Sequence, residues 1–162
     1  MLRKLIKFIP EQLIVDIWRF MPLPQRLRNF LLWHANAHFM VGVIGLIYAK
    51  NGDLLFVKHT YRKTPWGLPG GTLGKEQPFA GLQREVMEET GFQIAPYAVA
   101  DAIYFKEPAQ MILIIKAELV GGLFTPSPEV SDFCFINPKG DLSRIPKLQR
   151  KFVKKYHTEI RA

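Results

Sequence analysis

Residues 70–92 read GGTLGKEQPFAGLQREVMEETGF and combine a glycine-rich loop with a patterned helix. Within the predicted helix, Glu85, Glu88 and Glu89 stand three and four residues apart, which places their carboxylates on one helical face. Like charges at this spacing repel one another, so helix stability alone does not account for the pattern. Hard divalent cations prefer oxygen ligands such as carboxylates. The cluster is therefore a candidate metal site.

The three glutamates alone are more typical of an exposed acidic helix face than of a metal site. The loop at 69–74, which precedes the helix, favours the functional interpretation. Its glycines let backbone groups approach a ligand closely, and a backbone carbonyl can complete a metal shell. A loop of this kind at a fixed distance from an acidic helix face indicates a site for a metal and its ligand.

The segment resembles the Nudix box, G-x5-E-x7-R-E-U-x-E-E-x-G-U, in which U is a bulky aliphatic or aromatic residue. Counted from Gly70, every fixed position is filled, with Glu76 in the loop and the run from Arg84 to Phe92 on the helix. The preceding stretch Trp66-Gly67-Leu68-Pro69 is also similar to the family. The resemblance covers roughly residues 38–157 and leaves 1–36 unexplained.

The resemblance implies a site that holds Mg²⁺ or Mn²⁺. Glu85 and Glu89 would be the principal ligands, and Glu88 would bind directly or through water. The loop looks one residue short of many members and lacks a further glutamate that they carry. Either Gly70 or Gly71 could therefore supply the metal-binding carbonyl.

The resemblance also implies supporting and catalytic roles. Arg84 and Glu76 would pair and brace the loop against the helix. The metals would polarise a diphosphate and activate a water molecule, while a glutamate acts as general base. Glu85 is one candidate for the base, and Glu129, just before the last predicted strand, is another. Glu88 completes the candidate catalytic set.

The loop before the box offers weaker candidates. Arg62 and Lys63 are candidate contacts for substrate phosphates, although solvated loop charges explain them equally well. Four aromatic residues could stack on a base, although aromatic residues at strand ends more often belong to the core. They are Tyr61, Trp66, Tyr104 and Phe105.

The periodicity outside the box predicts an α/β fold. Strands are predicted at 40–48, 54–59, 93–105, 110–119 and 130–136, and helices at 25–33, 78–90 and about 145–157. Residues 51–53 are a turn signal, so the first two strands should form a hairpin. The resemblance implies a Nudix-type α/β/α sandwich with a mixed sheet at 38–162, preceded by a basic helical extension at 1–37.

Composition limits the class of protein and its location. Of the 162 residues, 48% are hydrophobic and 22% are charged, as in one soluble globular domain. A single cysteine, Cys134, excludes an internal disulfide, and no apolar run is long enough to span a bilayer. These features predict a cytoplasmic protein.

The net charge of +8 lies at the two ends of the chain, with +4 in 1–36, −2 in 37–136 and +6 in 137–162. A mildly acidic centre argues against a stable nucleic-acid partner. We expect 1–36 to pack on the domain or on a homodimer partner, and less readily on an anionic membrane as a peripheral contact.

The expected function is hydrolysis of a pyrophosphate bond in a nucleoside diphosphate linked to another moiety. Three alternatives remain: an RNA-end pyrophosphohydrolase, a non-catalytic Nudix-like binding module, and an isopentenyl-diphosphate isomerase. Retention of all the box glutamates disfavours the module, and the lack of a cysteine in the first half of the domain disfavours the isomerase.

Overall fold

The computed structural model describes residues 24–157, together with Gln12 and Asp16. The chain divides into two compact units between His38 and Phe39. The first contains helix α1, Gln25–Ala35, which follows Pro24 and confirms the helix predicted at 25–33. The further helices predicted in 1–36 fall outside the described residues. Among the described helices, none is long and apolar enough to cross a bilayer.

The described part of the second unit, residues 39–157, has six strands and two helices: the five predicted strands and two predicted helices in order, and a short strand β3 that was not predicted. The strands are β1 Met40–Tyr48, β2 Leu54–His59, β3 Trp66–Gly67, β4 Phe92–Phe105, β5 Gln110–Gly122 and β6 Val130–Ile136. The helices are α2 Pro78–Thr90 and α3 Lys147–Tyr156. Helix α2 has the predicted bounds: it begins at Pro78 and ends before Gly91, whose left-handed φ of 73° caps the helix.

The strands form one mixed sheet in the order β3-β2-β1-β5-β4, with β6 on the other edge of β2. Strands β1 and β5 are parallel, and the other pairs are antiparallel. The predicted hairpin of β1 and β2 is present next to its turn, where Tyr48 pairs with Leu54. Beyond that point the segment 66–73 lies between the two strands: β3 pairs with β2, and 69–73 bonds to β1.

Alternate residues of the central strands point to two separate cores, one on each face of the sheet. On one face, Leu82 and Val86 of α2 pack with residues such as Val43 and Ile115. On the other, residues that include Leu46, Phe56 and Ile114 pack with Phe152 and Val153 of α3. A sheet between two helical layers is the predicted α/β/α sandwich.

Helix α3 is also held by polar contacts. Gln149 is buried, and its side-chain oxygen accepts a hydrogen bond of 2.8 Å from the backbone N–H of Leu68. At the other end of the helix, Tyr156 and Lys155 both contact the carboxylate of Asp101 on β4. The terminal helix is therefore attached directly to the segment that leads into the glycine-rich loop.

Candidate functional site

Four carboxylates line one pocket at the end of α2. Glu85, Glu88 and Glu89 come from the helix, and Glu129 comes from the turn before β6, with Ser127 and Pro128 completing the lining. Glu89 is 5% exposed, whereas the side chain of Glu88 is 60% exposed. The structure thus brings Glu129, 40 positions beyond Glu89 in the sequence, to the predicted acidic face.

The backbone at Glu129 is fastened to the end of β2. The N–H of Thr60 donates to the carbonyl of Glu129 at 2.9 Å, and the Thr60 hydroxyl donates to the carbonyl of Pro128 at 2.8 Å. Strands β2 and β6 shift register at this point, between Lys58 and His59. The irregularity ends the regular pairing of β6 where the pocket begins.

The glycine-rich loop is bonded to β1 like an additional strand. The carbonyls of Pro69 and Gly71 each accept a hydrogen bond of 2.9 Å from β1, from the N–H groups of Gly45 and Val43 respectively. The N–H of Leu73 returns a bond of 2.8 Å to a β1 carbonyl. These bonds fix the loop at the edge that the separation of β1 and β2 leaves open.

Both candidate loop glycines touch the acidic site. The N–H of Gly70 donates to a carboxylate oxygen of Glu89 at 3.2 Å. Gly70 has a φ of 145°, and a Cβ there would lie 2.1 Å from the carbonyl oxygen of Val43. A Cβ on Gly71 would lie 2.3 Å from a carboxylate oxygen of Glu85. Neither position can carry a side chain without moving part of the site.

Replacing Gly71 with alanine should displace the Glu85 carboxylate while leaving the fold intact, because the obstructing atoms belong to a flexible side chain. We expect kcat to fall by about 10²-fold, the cost of a misplacement of roughly 1 Å in an active site. Gly74→Ala is the matched control, because its Cβ would meet nothing closer than 3.5 Å. Equal activity of the two variants would show that Glu85 does not need its present position.

Arg84 connects the loop to the acidic helix face. Its guanidinium lies 2.8 Å from Glu76, 2.7 Å from Glu85 and 2.9 Å from Glu88, and it donates to the carbonyl of Thr72 at 3.3 Å. The hydrogen bond from Arg84 holds the pKa of the Glu76 carboxyl below its usual range. The repulsion expected among the helix glutamates is thus partly offset by one cation, which the helical spacing alone does not reveal.

Burial raises the pKa of Glu89 to about 7. The hydrogen bond from Gly70 and the charge of Arg62 act in the opposite direction, while the carboxylates of Glu85 and Glu129 add to the increase. A buried carboxylate among other carboxylates ionises at a high cost unless a cation compensates it.

A cavity of about 520 Å³ extends from the carboxylates past the glycine-rich loop. Glu85 and Glu129 line it together with Tyr61, Arg62 and Gln110. The lining therefore includes Arg62, one of the two predicted phosphate contacts, but not Lys63, whose side chain is exposed.

Residues 38–156 match the family model of the NUDIX domain. The chain belongs to the Nudix family. A MutT-like protein of Streptomyces ambofaciens is 29% identical over 99 residues, which cover 60% of this chain and 64% of that relative. This chain therefore spans less than two thirds of that relative's length.

Two solved structures show the same Nudix fold. The MutT protein of Methanosarcina mazei is 25% identical, with a TM-score of 0.60, over 72% of this chain and 91% of that one. An ADP-ribose pyrophosphatase of Streptococcus suis is 22% identical, with a TM-score of 0.61, over 75% of this chain and 94% of that one. Nudix hydrolases are typically pyrophosphohydrolases that use divalent metals and nucleotide-type substrates.

The Nudix site supplies hard oxygen donors suited to Mg²⁺ or Mn²⁺. Within the described residues, no three His, Cys, Asp or Glu side chains converge closely enough to hold a metal ion, and Arg84 contacts both Glu85 and Glu88. The buried Glu89 carboxylate is the best sign of fit, because a bound cation would offset the charge that burial disfavours.

Several residues at the Nudix site were not predicted from the sequence. Gln110 lines the cavity, and Thr60 bonds to the backbone at Pro128 and Glu129. Nothing in the local sequence pattern marks either residue. The four aromatic residues that were candidates for stacking on a base do not lie together. Tyr61 lines the cavity, Trp66 packs against a core, and Tyr104 is exposed. Phe105 is half-buried at the end of β4.

Proposed function

We propose that this Nudix domain hydrolyses a pyrophosphate bond in a nucleoside diphosphate linked to another moiety, with Mg²⁺ or Mn²⁺. The observation that carries the proposal is the meeting of four carboxylates in one pocket, Glu85, Glu88, Glu89 and Glu129, beside a cavity lined by Arg62. Carboxylates that bind a metal and a cation that binds phosphate are the two requirements for cleaving a diphosphate.

In this proposal, Glu85 and Glu89 are the principal metal ligands, Glu88 is a further ligand, and Gly70 and Gly71 are the candidate carbonyl donors. When bound, the metal would withdraw electron density from the diphosphate and lower the pKa of a coordinated water. The ion pairs of Arg84 support both this face and the loop. We assign this catalytic role to 38–162 and treat 1–37 as an extension.

The remaining steps belong to side chains of this chain. Glu129 or Glu85 would accept the proton of the attacking water, since both line the cavity and the carboxylate pocket. Arg62 would bind and orient the phosphates, because a guanidinium matches the geometry of phosphate oxygens. Tyr61 lies beside Arg62, with the guanidinium 5.4 Å from the ring centroid, and could contact the nucleoside.

The test is a panel of nucleoside diphosphate derivatives, assayed with product identification in Mg²⁺, in Mn²⁺ and in excess chelator. At least one compound should release a nucleoside monophosphate or phosphate product only when metal is present. RNA with a 5′-triphosphate is included because RNA ends carry the same linkage. Turnover that persists undiminished in chelator would contradict the proposal, and turnover of the RNA alone would favour the RNA-end alternative.

A further inference from the structure

His59 is a buried histidine whose ring nitrogens form no conventional hydrogen bond with any residue that the structure describes. It is the last residue of β2 and is 1% exposed. Within the described part of the chain, neither ring nitrogen forms a hydrogen bond of normal geometry, although the carbonyl of Leu68 lies close enough to affect its protonation. A buried polar group without a partner costs roughly 1–3 kcal/mol. Such a group in a folded protein calls for a functional explanation.

The imidazole of His59 and the guanidinium of Arg62 both lie beside Gly67 of β3. A Cβ built on Gly67 would lie 3.1 Å from Gln149 Oε1, 3.3 Å from Arg62 Nη1 and 3.3 Å from His59 Nε2. Both nitrogens therefore border the position of one missing side chain, where the Gln149 oxygen already accepts a hydrogen bond from the N–H of Leu68. Because Gly67 has no side chain, β3 places no side chain of its own at the point where the buried ring and the guanidinium approach each other.

The two side chains are complementary in hydrogen bonding. Burial, together with the charge of Arg62, lowers the pKa of His59 to about 4, so its ring is neutral at pH 7 and keeps one acceptor nitrogen. A guanidinium has donors and no acceptor. Arg62 otherwise donates to the exposed hydroxyl of Tyr61 at 3.3 Å, which is a weak restraint on a long side chain.

We propose that His59 is a positioning residue, whose ring accepts a hydrogen bond from the Arg62 guanidinium beside Gly67 and holds that guanidinium towards the substrate phosphates. The inference rests on the proposed function, in which Arg62 binds phosphate in the cavity that Glu85 and Glu129 also line. An arginine held in place loses less conformational freedom when its ligand arrives.

A double-mutant cycle tests the coupling. We expect His59→Leu and Arg62→Ala each to raise KM for the cleaved diphosphate about 10-fold, with a smaller change in kcat. A 10-fold change in KM corresponds to about 1.4 kcal/mol. The double variant should be no worse than Arg62→Ala alone. His59→Gln, which retains an acceptor, should restore most of the affinity. Ile145→Val is the control for general loss of stability, because it lies in the core and should leave KM unchanged.

An independent measurement uses the metal-free protein. In ¹⁵N spectra of the histidine side chains, Arg62→Ala should change the Nε2 shift of His59 and raise its pKa. Unchanged His59 signals, or KM effects that simply add in the double variant, would overturn the proposal. The spectra decide the matter if His59→Leu does not fold. If no diphosphate is cleaved by the wild-type protein, the proposed function fails, while the spectra still test the contact between the two residues.

Discussion

Replacing Glu89 with glutamine should stabilise the metal-free protein at pH 8 by about 3 kcal/mol, because the variant no longer has to bury a charge. Burial raises the pKa of Glu89 from 4.5 to about 7. Between these two values the folded protein binds more protons than the unfolded chain, so its stability falls as the pH rises. The difference in unfolding free energy between the wild type and the variant should reach its full size above pH 7 and should disappear below about pH 4.5.

Urea unfolding at pH 8 and at pH 4.5, in chelator, measures this difference directly. Glu88→Gln is the matched control, because its side chain is 60% exposed and its ion pair with Arg84 lies at the surface. Millimolar Mg²⁺ should stabilise the wild-type protein more than Glu89→Gln, and the variant should lose most of its activity. A Glu89→Gln variant that unfolds more easily than wild type at pH 8 in chelator would identify Glu89 as a structural residue.

Glu129→Gln should reduce kcat by about 10²- to 10⁴-fold, the usual contribution of a general base. Of the two candidates for that role, Glu85 is held by Arg84 at 2.7 Å, whereas Glu129 forms no ion pair with any residue in 24–157. Glu129 also lines both the carboxylate pocket and the larger cavity, where the attacking water would be placed. The variant should therefore keep its affinity for metal and lose the acidic limb of its pH–rate profile.

Rates measured from pH 5 to pH 9 at saturating Mg²⁺ separate the two glutamates. Glu85→Gln should raise the metal concentration needed for half-maximal activity, since Glu85 is assigned as a ligand. Glu118→Gln serves as the control, because that glutamate is exposed on β5 and lines a different cavity. Retention of the acidic limb in Glu129→Gln would transfer the role of base to Glu85.

Local patterns predicted much of this molecule. Helix α2 is defined by the proline at its start and the glycine after its end, and β1 and β2 are defined by continuous apolar runs on either side of a turn. The position of Glu129 beside the box came from resemblance to the family. The spacing of Glu85, Glu88 and Glu89 likewise predicted the helical face that they share, because that face depends only on the pitch of the helix.

Features that depend on distant pairings could not be predicted in this way. No local signal shows that β1 pairs in parallel with β5, or that 69–73 takes the place beside β1 that a full hairpin partner would occupy. Gln149 looks like one more polar residue on a basic helix, yet it is buried against Leu68. His59 ends β2 next to the exposed residues Thr60 and Tyr61, so its burial without a hydrogen-bond partner among the described residues appears only when β3 and the turn before β6 enclose it.

The bonding of the glycine-rich loop to β1 affects how the protein responds to its ligand. Loops that close over a substrate must be ordered during binding, and the entropy lost in that step weakens affinity. Here the backbone on which the phosphates would rest already shares its hydrogen bonds with a central strand. The glycine-rich loop can therefore loosen only if the sheet itself begins to open. Its thermal fluctuations should depend on the global stability of the domain. Adaptation to different substrates is then left to the side chains around the loop.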